Sequence, residues 1–130
     1  MSRRRSIEVE GFSHGTNPIP AASRVGNMVM TGGVFGLDPK TKAIPDGAAE
    51  QCRLMFANLR RILDAAGAST DEVLKVTVFI KDNSVREVIN PEWLALFPDP
   101  ASRPARQTQI NPHLAANMLI QCEATAVIGD

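Results

Sequence analysis

The sequence contains no tyrosine, one tryptophan, two cysteines and two histidines, and its charges cancel, with 14 Lys and Arg against 14 Asp and Glu. Each shortage closes a class of function. Two imidazoles, His14 and His113, and two isolated thiols, Cys52 and Cys122, supply neither a metal cluster nor a disulfide framework. Both thiols fall among apolar neighbours and read as buried and free. Zero net charge leaves no electrostatic footprint for a polyanion, so nucleic acid is not an expected partner. The run Arg3-Arg4-Arg5 reads as part of a solvated, disordered tail over residues 1–5. No apolar run approaches the roughly 18 residues of a membrane span. No apolar stretch follows the arginines as a secretory signal requires, and Glu8 and Glu10 come too early for a transit peptide. What remains is one domain over 1–130, cytoplasmic, cofactor-free, without a metal and away from membranes. A chain of this length buries about two-thirds of its unfolded surface.

Periodicity supplies the elements. SIEVE, residues 6–10, alternates weakly as a short edge strand, and GFSHGTNPIP is a loop. Arg24-Val25 and Met28–Thr31 flank Gly26-Asn27 as a hairpin with a two-residue turn. The second strand ends at Gly32-Gly33, where bare backbone is left. Between Gly47 and Gly67, Cys52, Met55, Phe56, Leu59, Ile62, Leu63 and Ala66 follow helical spacing, with Asp46 as cap and Gly67 as the stop. VLKVTVFIK, 73–81, is a central strand. Ser84 and Glu87 have capping-box spacing and open a second helix, in which Pro91 predicts a break or kink near Asn90. Two strands close the chain, about 105–110 and 118–128.

The order predicts an α+β domain, a sheet with two helices on one face. In the last strand Gln121, Glu123, Thr125 and Val127 share one face, and Ile120, Cys122, Ala124, Ala126 and Ile128 the other. Two helices cover only one face, so the other is expected to pack against a further copy of the chain.

GNMVMTGG at 26–33, a helix ending DAAGAS, VLKVTVFIKD, NPEW, RPAR and QCEATAVI together resemble, in order and spacing, the reactive intermediate deaminase family (Rid, also called YjgF, and including endoribonuclease L-PSP-like proteins). The resemblance runs from about Asn17 to Ile128. It implies a chorismate-mutase-like fold of ferredoxin-like topology, a mixed sheet with two helices on one face, and a homotrimer with clefts between subunits. It also implies hydrolysis of small carboxylate-bearing imines or enamines, of the 2-aminoacrylate or aminomuconate kind, to a carbonyl compound and ammonia. The family's substrate-carboxylate arginine falls on Arg106, its strand-end small residues on Gly32 and Gly33, its helix asparagine on Asn90, and the strand residue beyond the arginine on Thr108.

Two positions depart from the family. Its water-orienting glutamate falls on Gln121, and a common tyrosine falls on Ile19. Glutamine places a water but cannot take its proton. His14, in the adjoining loop, and Glu123, on Gln121's face, are then the candidate acid–base groups.

Plainer readings stand beside these. Arg106 can pair with Glu123 across the C-terminal strands, Gln121 can satisfy buried backbone, and His14 can make a local loop contact. Gly32-Gly33 can simply end a strand, and Asn90 can belong to helix-breaking chemistry before Pro91. Trp93 and Met28, Met30, Met55 and Met118 read as core or interface. A non-catalytic protein holding a small carboxylate in the same cleft is the alternative to a deaminase.

Overall fold

The structure, a computed structural model, describes residues 3–129. Seven strands form one mixed sheet: β1 (Arg5–Ile7), β2 (Ala22–Val25), β3 (Met28–Thr31), β4 (Val34–Phe35), β5 (Val73–Ile80), β6 (Ala105–Ile110) and β7 (Ile120–Val127). Their spatial order is β1-β2-β3-β7-β5-β6, with β4 also on β7. Only β5 and β6 run parallel among these pairs, joined through the second helix. Two helices, α1 (Ala48–Ala66) and α2 (Ile89–Leu96), complete the α+β domain.

The apolar stripe of α1 does what its spacing predicts. Cys52, Met55, Leu59 and Ile62 are fully buried, facing Ile120, Cys122, Ala124 and Ala126 of β7 and Val76, Val78 and Ile80 of β5. Gly67 ends the helix at φ 83°, where a Cβ would be strained. The other face of the sheet is bare in the single chain, with Met28, Met30 and Val127 exposed beside Glu123.

Four local expectations are corrected. Of the tail foreseen over 1–5, residues 1 and 2 lie outside the described residues, and Arg5 opens β1 opposite Arg24. The first strand ends at Ile7, because Glu8 turns its carboxylate onto the amide of Ala21 at 3.1 Å. The cap of α1 is Gly47 without a side-chain bond, and Asp46 instead accepts from Asn117 at 3.2 Å. Before α2, Asp82 outcompetes the Ser84 capping box. Its carboxylate accepts the Ser84 amide at 2.8 Å and starts a 3-10 turn over Asn83–Val88. The 3-10 turn gives way to α2 at Val88–Ile89, next to Asn90, so Pro91 sits in the first turn of α2, where no amide donor is needed.

Gly32-Gly33 interrupts the sheet without ending it. Met28–Met30 pair with Val127–Thr125, and after the two glycines Val34 and Phe35 pair with Cys122 and Gln121.

Candidate functional site

Arg106 stands on β6, an edge strand, beside the first turn of α2. Its register partner on β5 is Val76, which is buried under the helices, so Arg106 points to the helix side. Thr108 and Ile110 share that side, opposite Val78 and Ile80. The guanidinium lies 4.8 Å from the centre of the Trp93 ring, and Nη2 donates to Asn90 Oδ1 at 2.9 Å. Trp93 is itself fixed by Phe97 and Phe56, at ring separations of 4.7 and 6.3 Å. A planar cation stacked and hydrogen-bonded on one edge keeps its remaining donors in a fixed plane. Among the described residues no carboxylate forms an ion pair with it. Partial burial, and then the neighbouring Arg86, lower its pKa, which is the mark of a cation lacking an anion.

A second cluster lies where β4 meets β7. His14 donates from Nε2 to the carbonyl of Gly33 at 2.8 Å. A carbonyl only accepts, so Nε2 is assigned a proton. Nδ1 is buried without a partner, alone in this among the described side-chain nitrogens and oxygens. Phe12 and Phe35 hold the imidazole edge-on at 5.5 and 5.9 Å. The Gln121 side chain crosses directly over Gly33, and a Cβ there would lie 1.8 Å from its Nε2. At Gly32 an added Cβ would meet the His14 ring at 3.5 Å. A cavity of about 670 Å³ adjoins this cluster, lined by Phe12, His14, Phe35, Leu37, Met118 and Gln121 among others, and by no carboxylate among the described residues.

The fold thus joins His14, Gly32, Gly33 and Gln121 in one place and Arg106, Asn90 and Thr108 in another. Ile19 joins neither by a contact seen here; its side chain is half exposed. The two clusters face opposite ways. Phe79 is the register partner of Gln121 and Thr77 of Glu123, one residue out of phase with Val76 and Arg106. An Arg106–Glu123 pair is therefore ruled out, with β5 lying between their strands. The thiols are inert: burial pushes Cys52 up to about 12 and raises Cys122 further, so neither is a nucleophile.

Two positioning residues escaped the sequence reading. Gln51, fully buried on α1, donates to the carbonyls of Pro45 and Asn117 and accepts from the amide of Leu119 at 2.8 Å. Asn58 donates to the carbonyls of Phe35 and Leu37, both at 2.9 Å. Together they tie three segments around the cavity to α1. Their signal was an amide on the apolar stripe of a helix.

The Endoribonuclease L-PSP family model matches residues 14–128. The chain is also 32% identical over 124 residues, 95% of its length and 97% of the relative's, to the 2-iminobutanoate/2-iminopropanoate deaminase of Escherichia coli K12. The chain belongs to the Rid (YjgF) family. The solved YjgF gene product of E. coli superposes with a TM-score of 0.87 at 30% identity, covering 96% of this chain and 99% of that one. TdcF of E. coli, solved with bound serine, does so at 0.87 and 29%, over 96% and 99%. This Rid-family chain has the mixed sheet and two helices of those structures. Among its described residues no helix is long and apolar enough to cross a membrane.

Proposed function

We propose that this Rid protein is a deaminase that hydrolyses carboxylate-bearing imines or enamines to a carbonyl compound and ammonia. The observation that carries the reading is Arg106, a guanidinium held flat by Trp93 and Asn90 with no acid of its own. Its free edge suits the two oxygens of a carboxylate. The E. coli relative is named for two imino acids that carry one, and TdcF was solved with serine, which carries one too.

Water adds to the imine carbon, a carbinolamine forms, and ammonia leaves as the carbonyl closes. Gln121, lying over Gly33, orients the water, and His14, held through Nε2 by the Gly33 carbonyl, lines the same cavity. Because Arg106 and Gln121 face opposite sides of the sheet, one substrate meets both only if two copies of the chain supply them. The reading therefore includes a homo-oligomer, a homotrimer by the family resemblance, whose interface covers Met28, Met30 and Val127. Bringing the partners into register alone accelerates an already facile hydrolysis.

No described carboxylate lines the cavity, which favours a second reading, a protein that binds small carboxylates without turning them over. The test is imine clearance behind an amino-acid oxidase, with the imine trapped competitively, together with a mass measurement. Deamination requires that wild type clear imine faster than buffer and that Arg106→Lys lose at least about ten-fold in kcat/KM, since lysine cannot present a planar fork. Clearance no faster than buffer, with carboxylates still bound, leaves the binding reading. A monomeric mass removes the shared site.

A further inference from the structure

We infer that the cavity beside Gln121 selects the substrate's side chain, and that it favours imines whose side chain is large and apolar or aromatic over those of two- or three-carbon acids. The inference takes the proposed deaminase as its frame and adds the class of substrate. The volume of about 670 Å³ lies within the range of pockets that enclose drug-sized ligands, roughly 300–1,000 Å³. An imine with a methyl side chain leaves most of it to water.

The polarity of the walls gives the direction. Val9, Phe12, Phe35, Leu37, Ala115 and Met118 are apolar, and the Phe12 and Phe35 rings already pack against each other, tilted by 50° with centres 4.9 Å apart. Met118 adds a side chain that adapts to the shape of an aromatic guest. The hydrogen-bonding groups at the sheet end, His14 and Gln121, sit at Gly33, so the reacting carbon belongs there and the side chain runs away from it into the apolar part. Among the described residues Lys42 is the one ionisable wall residue besides His14, and it stands on strained backbone at φ 61°. With no carboxylate opposite it, a cationic side chain meets a like charge and no partner. Imines of basic amino acids are therefore disfavoured along with those of the smallest ones.

The experiment generates imines of alanine, leucine, phenylalanine and lysine with amino-acid oxidases and follows the surviving imine as its semicarbazone. The expected result is kcat/KM for the leucine and phenylalanine imines at least ten-fold above those of alanine and lysine. Ala115→Trp, on an exposed loop, should then reduce the phenylalanine-to-alanine ratio by about ten-fold. A wild-type ratio near or below one, fastest clearance of the lysine imine, or a ratio unmoved by Ala115→Trp overturns the inference. Thermal shifts with 3-phenylpropanoate and propanoate separate it from the deaminase reading. Stronger stabilisation by 3-phenylpropanoate supports the cavity's preference even if no imine is cleared, and equal or weaker stabilisation overturns it even if small imines are.

Discussion

Replacing Gly33 by alanine tests whether the placement of Gln121 matters. Gly33 does not have a positive φ, so its backbone admits alanine without strain. The added Cβ nevertheless falls 1.8 Å from Gln121 Nε2 and 2.9 Å from Cδ, against an ordinary contact of about 3.5 Å. The amide must therefore move by roughly 1.7 Å. What blocks it is the end of a flexible side chain, so the fold yields cheaply. Leaving a preferred rotamer costs about 0.5–1.5 kcal/mol, and removing a glycine from the unfolded chain returns about 0.4–1 kcal/mol. The two nearly cancel. With an unfolding entropy of about 2.1 cal/mol/K per residue, a net 1 kcal/mol shifts Tm by about 4 °C, an upper limit here. Catalysis is less forgiving, since a 1 Å misplacement of a positioned group costs on the order of 10²-fold.

Gly33→Ala should therefore lose about 10–100-fold in kcat/KM for imine clearance while melting within about 4 °C of wild type. The decisive comparison is a double-mutant cycle with Gln121→Ala. If Gly33 matters through the amide above it, alanine at 33 costs nothing more once that amide is gone. Full activity in Gly33→Ala, or an undiminished loss in the Gln121→Ala background, refutes a role for the placed glutamine.

Much of the frame was legible because single-chain patterns carry it. The helix of 48–66, the apolar strand of 73–80 and the alternation along β7 each follow from local periodicity and burial. β4 was not, since two residues between glycines have no period to read. The Ser84–Glu87 spacing misled because an aspartate two residues upstream reached the same amide first. Of the candidate site, the strand faces were legible but not how they group. Alternation puts Arg106 and Thr108 on one face of β6 and Gln121 and Glu123 on one face of β7. Which of those faces coincide depends on the stagger of both strands against β5, and a slip of one residue reverses the answer. Val76 opposite Arg106 and Phe79 opposite Gln121 decide it, and both pairings are non-local. The reason for Gly33 is of the same kind, a side chain 88 positions away in the chain.

Three further outcomes concern stability. At Gly36 an added Cβ meets backbone, with the Gln51 carbonyl oxygen at 2.4 Å and its Cα at 2.7 Å. Nothing there can rotate away, so Gly36→Ala should cost about 2–3 kcal/mol, a Tm lowered by roughly 7–11 °C, and an unchanged melting curve would contradict the close packing of β4 on α1. The raised pKa of Cys52 and Cys122 has a signed consequence. The folded state holds both thiol protons while the unfolded state releases them near pH 8.5–9, so stability is level below that range and falls above it by up to about 1.4 kcal/mol per pH unit for each thiol. Urea unfolding at pH 8 and pH 10 should show that fall, a Cys52→Ala/Cys122→Ala variant should fall less steeply, and equal slopes would mean the thiols ionise normally in the fold. Gln51 is the most consequential of the three, because its fully buried amide spends both functions on the backbone of two separate segments. Gln51→Ala removes the partner of the Leu119 amide and of the Pro45 and Asn117 carbonyls at once; Asn117 is exposed and Pro45 and Leu119 are half-buried, so water replaces part of what is lost and the cost should be about 1–3 kcal/mol. Gln51→Glu keeps the acceptor for Leu119 but turns a carboxylate toward two carbonyls, so it should be no milder. Hydrogen exchange at the Leu119 amide reads the effect where it arises, and protection retained there in Gln51→Ala would show that the segments around the cavity are held by something other than this side chain.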